Sequence, residues 1–307
     1  MFGLPVLESL DSLSDLMGLS RGLLYVLSAR NSSFYRRFHI PKKSGGEREI
    51  LAPSWELKAV QAWILRHILE KLPVHDAATA FRSGRNICVN ARPHQSNQYF
   101  LCLDLEDFFP SVPYGKVYTV FRAIGYNSHM AHVLTSLCTC NGRLPQGAVT
   151  SPALSNIVCL RLDRRISGYT GKRNIVYTRY ADDMTFSSMN PNRLIGAKRM
   201  VQHIVTEEGF NLNECKTRYM GPRQRRRVTG LVIGDNSIGV GKRRKRRLRA
   251  ALHRLAAGNL VNEEREALGR HLVGWLAFLR DVDRKGYGQL RVYGDRLYER
   301  YARSKGA

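Results

Sequence analysis

The sequence predicts an α+β fold, on three observations. Short apolar runs of strand length end on acidic residues near positions 104 and 182. A helical repeat of apolar residues lies between them and the N-terminus. From residue 242 onward the chain turns basic and keeps helical spacing throughout. Hydrophobic residues make up 43% of the 307, enough to bury a sizeable core.

The elements follow in chain order. Residues 1–22 mix apolar side chains with acids and lack the basic start and continuous apolar block of a secretory signal. No stretch nears the roughly 20 apolar residues of a membrane span. A cytoplasmic protein without a membrane partner is expected. Residues 40–50 read as a β-hairpin around Ser44-Gly45-Gly46, with basic residues on both arms. Residues 54–73 read as a helix. Ser54 can cap it, Leu57, Val60, Ile64, Ile68 and Leu72 share one face, and Pro73 stops it. Residues 99–103 form an apolar strand that delivers Asp104. Residues 175–180 and 184–187 are two further strands, and Ala181-Asp182-Asp183 between them leave room only for a tight turn. Residues 228–233 and 238–240 read as a hairpin around Gly234-Asp235-Asn236-Ser237. Leu248, Leu252 and Leu255, then Leu268, Leu272, Trp275 and Leu279, set the helices of the C-terminal part.

The formal charge of +24 points to a polyanionic partner, nucleic acid before membrane, because so basic a chain repels itself until neutralised. Of six cysteines only Cys138 and Cys140 lie close together, and several sit in apolar runs. They read as buried free thiols of a reducing compartment rather than as metal ligands.

The acids admit two readings. Adjacent carboxylates such as Asp182 and Asp183 repel each other, at little cost on a solvated turn, and Asp favours turns anyway. If the strand ending at Asp104 neighbours that turn, three carboxylates converge and must bind hard cations or protonate. Two divalent ions about 3.5–4 Å apart would suit phosphoryl transfer.

Four motifs, in order, resemble those of reverse transcriptases. Tyr180-Ala181-Asp182-Asp183 matches the Tyr-x-Asp-Asp signature, and Leu103-Asp104-Leu105-Glu106-Asp107-Phe108-Phe109-Pro110-Ser111 is similar to the first catalytic motif. Residues 144–156, from Leu144-Pro145-Gln146-Gly147, resemble the loop and helix that pack on nucleotide and template. Asn213-Glu214-Cys215-Lys216-Thr217 resembles Asn-x-x-Lys-Thr. The resemblance implies a right-hand polymerase with fingers, an antiparallel palm and a helical thumb. It places an N-terminal helical extension at 1–35, fingers at 36–98 with part of 111–150, palm at 99–235 and thumb at 236–307. It implies two Mg²⁺ ions on Asp104, Asp182, Asp183 and the Leu105 carbonyl. Phe109 falls at the aromatic gate against a ribose 2′-OH, although the residues alone fit a core side chain equally well. Lys42, Lys43 and Arg48 would grip the triphosphate of a dNTP, or simply form a solvated basic turn. Gln146 and Gly147 would approach nucleotide and template, and Lys216 the pyrophosphate. Val149 departs from the proline more usual there.

Two further motifs resemble those of bacterial retron enzymes: Asn90-Ala91-Arg92-Pro93-His94, and Val228-Thr229-Gly230. That resemblance implies a cognate structured non-coding RNA as partner, DNA synthesis primed from a guanosine 2′-OH, a branched RNA–DNA product and an effector protein used against phage. Its RNA contacts would include Asn90, His94, Val228, Thr229 and Gly230. A basic belt flanks the triplet, with Arg225, Arg226 and Arg227 before it and Arg243, Arg244, Arg246 and Arg247 after it. Such a belt suits folded RNA, which is recognised through phosphates, shape and 2′-hydroxyls. The rival readings are another small bacterial reverse transcriptase, of the diversity-generating or abortive-infection type, and a non-catalytic RNA-binding scaffold restraining an effector.

Overall fold

The structure, a computed structural model, describes residues 3–42, 45–235, 237–258 and 260–305. It opens on α1 (Leu10–Met17) and α2 (Arg21–Ala29). Ser9 and Ser12 cap α1 reciprocally, and Gly18 ends it in the left-handed conformation. Leu10, Leu13, Leu24 and Leu27 drive both helices into the main core.

The expected hairpin is longer than its motif. Strands β1 (Tyr35–Pro41) and β2 (Glu47–Pro53) pair from Tyr35↔Pro53 to Pro41↔Glu47 and stay largely exposed. Helix α3 (Trp55–His67) is capped by Ser54 as predicted, but it stops earlier than the sequence suggests. Ile68 leaves helical geometry and a single 3-10 turn (Leu69–Lys71) completes the run. All five apolar residues of the stripe are nonetheless buried, because a 3-10 turn keeps Leu72 on the same side.

Short α4 (Ile87–Ala91) leads to β3 (Tyr99–Asp104). Then come α5 (Tyr114–Ala123), α6 (Ser128–Cys138), α7 (Ser151–Val158), α8 (Leu160–Gly171), the strands β4 (Val176–Tyr180) and β5 (Asp183–Ser188), and α9 (Pro191–Glu207). With β6 (Arg218–Met220) they build an antiparallel sheet in the order β4-β5-β3-β6. Alternation along β3 serves two cores. Leu101 and Leu103 join the main cluster beneath α9, whereas Phe100 joins a second cluster with Cys88, Ala91, Val228, Leu231 and Ile233.

Residues 228–233, expected as one strand, are two. Strand β7 (Arg227–Val228) turns at Thr229-Gly230, both with positive φ, into β8 (Leu231–Ile233), which pairs with β9 (Ile238–Gly239). Helices α10 (Lys242–Ala257), α11 (Asn262–Val282) and α12 (Arg284–Lys305) then enclose a third cluster around Leu248, Leu272, Leu279 and Leu290. No helix among the described residues is long and apolar enough to cross a membrane. Five of the six cysteines are buried as free thiols and Cys215 is exposed.

Candidate active site

Register builds the site. Asp104, the last residue of β3, lies directly opposite Asp183, the first of β5. One residue on, the buried Leu105 donates its N–H to the Asp182 carbonyl at 3.0 Å and bridges Leu212. Asp104 and the adjacent pair Asp182 and Asp183, distant from it in sequence, therefore share one end of the sheet.

The turn between β4 and β5 carries strain. Ala181 has φ +58, a left-handed conformation unusual for a residue with a Cβ. A fully buried guanidinium holds it: Arg179 donates to the Ala181 carbonyl at 3.0 Å and to Asn156 at 3.1 Å. The same Arg179 grips Asp163 of α8 through two bonds of 2.9 and 2.6 Å, and the Tyr177 hydroxyl adds a third to Asp163 at 2.7 Å. Both buried charges are thus paired and hydrogen-bonded, the condition for tolerating them in a core. Sequence reasoning missed this pair. The signal available was Asp163 at helical spacing between Leu162 and Ile166, together with an arginine inside an apolar strand.

The carboxylates oppose one another. Burial, then the nearby Asp104, raise the Asp182 pKa above the usual range. Burial, then Asp182 and Asp104, push Asp183 up to about 6. Lys216 answers the charge by donating to both Asp104 oxygens, at 2.8 and 3.1 Å, and this pairing raises its own pKa. An all-oxygen, partly desolvated and mutually repelling donor set fits hard divalent cations. Among the described residues no three acidic, histidine or cysteine side chains are already closed around a metal position, and Asp104 is engaged by Lys216.

The remaining expected residues fall into three groups. The first is the set expected to meet nucleotide and metal, of which Lys216 and Arg48 act on the carboxylates. Phe108 is core, packed on Phe210 and beneath the Arg179 guanidinium, whereas Phe109 is half-exposed and faces Phe81 at 6.1 Å. Arg48 is exposed on β2, and its charge opposes the upward pKa shift of Asp182, so the hairpin faces the site. Lys42 is exposed where the hairpin turns, and Lys43 lies outside the described residues. The Gln146 carbonyl accepts from the Leu51 N–H at 2.8 Å. Gly147 has φ +132, and a Cβ there would stand 2.6 Å from the Leu51 carbonyl oxygen. The close approach that glycine permits is thus to β2, where the sequence suggested nucleotide and template. Val149, in place of proline, keeps an N–H that donates to the buried Gln61 side chain at 3.2 Å.

The second group is buried, which corrects its expected contact with RNA. His94 is fully buried between Ser187 at 2.7 Å and Thr178 at 2.8 Å, and burial lowers its pKa to about 3. Asn90 accepts from Thr79 and reaches Thr229 at 3.5 Å. Val228 is core, and Arg226 is spent on the Asn97 carbonyl and Asp235. The third group stays open: Arg225, Arg227, Thr229 and Gly230 meet Arg243, Arg244 and Arg247 around a cavity of about 620 Å³, which Arg246 does not line.

Residues 40–233 match the family model described as reverse transcriptase (RNA-dependent DNA polymerase). The chain is similar to the Retron Ec86 reverse transcriptase of Escherichia coli, 39% identical over 98% of this chain and 93% of that one. It is 38% identical to the Retron Mx65 reverse transcriptase of Myxococcus xanthus, over 91% of this chain and 69% of the relative. Its fold resembles telomerase from Candida albicans, solved in complex with a TWJ fragment of telomeric RNA. That likeness has a TM-score of 0.52 at 12% identity, covering 87% of this chain and 60% of the other. A sheet that gathers Asp104, Asp182 and Asp183, a right-hand polymerase fold and near full-length similarity converge, and the chain belongs to the bacterial retron reverse transcriptases, the RNA-directed DNA polymerases of retrons.

Proposed function

We propose that this enzyme copies part of a cognate structured non-coding RNA into single-stranded DNA. Synthesis starts from a guanosine 2′-hydroxyl, leaves a branched RNA–DNA product and serves anti-phage defence beside an effector protein. The observation that carries the chemistry is the register pairing of Asp104 with Asp183 beside Asp182. These three carboxylates and the Leu105 carbonyl would hold two Mg²⁺, which when bound activate the primer hydroxyl and neutralise charge on the dNTP phosphates. Lys216, held protonated by Asp104, is released toward the departing pyrophosphate and can give it a proton. Lys42 and Arg48 on the hairpin, together with Lys43, grip the triphosphate. Gln146 and Gly147, bonded to or packed on β2, seat nucleotide and template as the hairpin closes. Phe109, backed by Phe108 and Phe81, walls off a ribose 2′-OH.

The third hydrophobic cluster, formed by residues from Val240 onward, supports 236–307 as thumb. The divisions 1–35 as extension, 36–98 with part of 111–150 as fingers and 99–235 as palm rest on the order of the family's motifs, since one cluster runs through all three. The two retron-like motifs support each other physically, since Asn90 reaches Thr229 across the second cluster. The test is to purify wild type and Asp183→Asn with their co-purifying nucleic acid and digest separately with RNase and DNase. A short DNA tethered to an RNA nucleotide is expected with wild type alone. The same DNA in the variant would overturn the catalytic assignment, and DNA with a free 5′ end in wild type would overturn the branched start.

A further inference from the structure

The cavity between the β7–β8 turn and the C-terminal helices sorts the basic residues around it. Arg226 turns inward onto Asp235, and Lys245 pairs with Asp283 at 2.8 Å. Their neighbours Arg225, Arg227, Arg243, Arg244 and Arg247 all line the cavity, and among the described residues none of these five has an acidic partner. No acid lines it either. Five guanidinium groups without acidic partners around one cavity favour an anion with several charges.

The cavity is not only charged. Ile87, Leu231, Val240 and Phe278 give it an apolar floor, and the Trp275 indole forms part of its wall. The Phe278 ring meets Trp275 edge-on, with centroids 5.5 Å apart at 89°, and so fixes the plane of the indole. The Arg244 guanidinium lies over the indole at 4.4 Å. The indole face therefore already accepts a flat, delocalised group. Phosphates alone would need no such platform. An aromatic ring carrying phosphates would use both parts.

We propose that this cavity takes one unpaired nucleotide of the bound RNA. Its base is turned out of the RNA to stack on Trp275 or on the Arg244 plane, and the flanking phosphates lie on Arg225, Arg227, Arg243 and Arg247. The proposal rests on the chain being an RNA-binding polymerase and adds a base-reading pocket remote from the carboxylates. Phe100, under the pocket's sheet, and Asp104 stand toward opposite ends of β3. Thr229 and Gly230 present the backbone of a tight turn at the rim, where base edges can be read by main-chain groups.

The experiment compares two probes with the full-length protein: a 12-nucleotide oligoadenylate and an abasic oligomer with the same number of phosphates. Trp275→Leu keeps apolar volume and removes the stacking face, and Trp275→Phe keeps a smaller ring. Thermal melting confirms that each variant is folded. Trp275→Leu is expected to weaken oligoadenylate about tenfold and the abasic oligomer less than about twofold, with Trp275→Phe between. Equal losses for both probes, or none for either, would overturn the pocket and leave a plain polyanion surface. Primer extension by the wild type on an oligo(dT)-primed polyadenylate template is run alongside. Extension with an indifferent Trp275 rejects the pocket alone, whereas absence of extension rejects the polymerase reading beneath it.

Discussion

Phe108 and Phe109 are neighbours with opposite fates, and the gate proposed for Phe109 rests on that difference. Sequence could not separate them, because the segment after β3 has no regular period. Asp107 takes φ +43, and the chain turns so that Phe108 enters the core and Phe109 does not. Removing the exposed ring should admit a 2′-hydroxyl: Phe109→Ala is expected to raise ribonucleotide incorporation roughly tenfold or more, as loss of a steric term of 1–3 kcal/mol would. Unchanged discrimination in competition between rNTP and dNTP would remove Phe109 from that role. Asp183 offers a stability test. Its carboxyl is raised from 3.8 to about 6 in the folded protein, so the folded state prefers the protonated form. Its contribution is then most favourable at acid pH and is lost as pH rises through about 6. Asparagine removes that burden. Without metal at pH 7.5, Asp183→Asn should be more stable by about 1 kcal/mol after allowance for partial exposure, or roughly 2–4 °C in Tm. At pH 5 the gain should shrink, and Mg²⁺ should favour wild type. A lower Tm for the variant at pH 7.5 in EDTA would refute the account.

At the scale of elements, two contacts between different elements are expected to hold the site in shape. Gly147 lets the loop before α7 press against β2. Gly147→Ala introduces a Cβ 2.6 Å from the Leu51 oxygen in a backbone region that disfavours side chains. It should cost about 1–3 kcal/mol of stability and raise KM for dNTP more than it lowers kcat, because the displaced strand carries Arg48. An unaltered KM would show that hairpin and loop move independently. Arg179 and Asp163 form the other contact. Arg179→Met should destabilise by roughly 3–5 kcal/mol, since it strands a buried carboxylate. Adding Asp163→Leu should recover most of that stability but not activity, because the Ala181 carbonyl still lacks its donor. Recovery of both would make the pair purely structural. The strands that deliver Asp104, Asp182 and Asp183 were legible, since β3 is a short apolar run ending on an acid and two strand-length runs flank the Ala181-Asp182-Asp183 turn. Two boundaries were not. The stripe through Ile68 and Leu72 continues in phase although the α-helix ends, and residues 228–233 look like one apolar run because a turn at Thr229-Gly230 interrupts burial only briefly.

For the whole molecule, a charge of +24 announced nucleic acid, but sequence could not say which arginines were free. That depends on how the fold pairs them: Asp235 takes Arg226 and Asp283 takes Lys245. Replacing Arg243, Arg244 and Arg247 by glutamine should therefore flatten the slope of log affinity for RNA against log salt by about 2–3, while Arg246→Gln changes it by less than about 1. Equal effects from both sets would place the RNA outside the cavity. The catalytic turn answers to different physics. Its support is an ion pair with no solvent exposure on either side chain, out of reach of mobile ions that screen surface charges within about 10 Å at 0.1 M. Ionic strength should thus act as a clutch, disengaging template capture while leaving the geometry of each turnover intact. A pre-assembled complex with RNA moved into concentrated salt should finish its current DNA at an undiminished rate at saturating dNTP, even though free enzyme in that medium can no longer load.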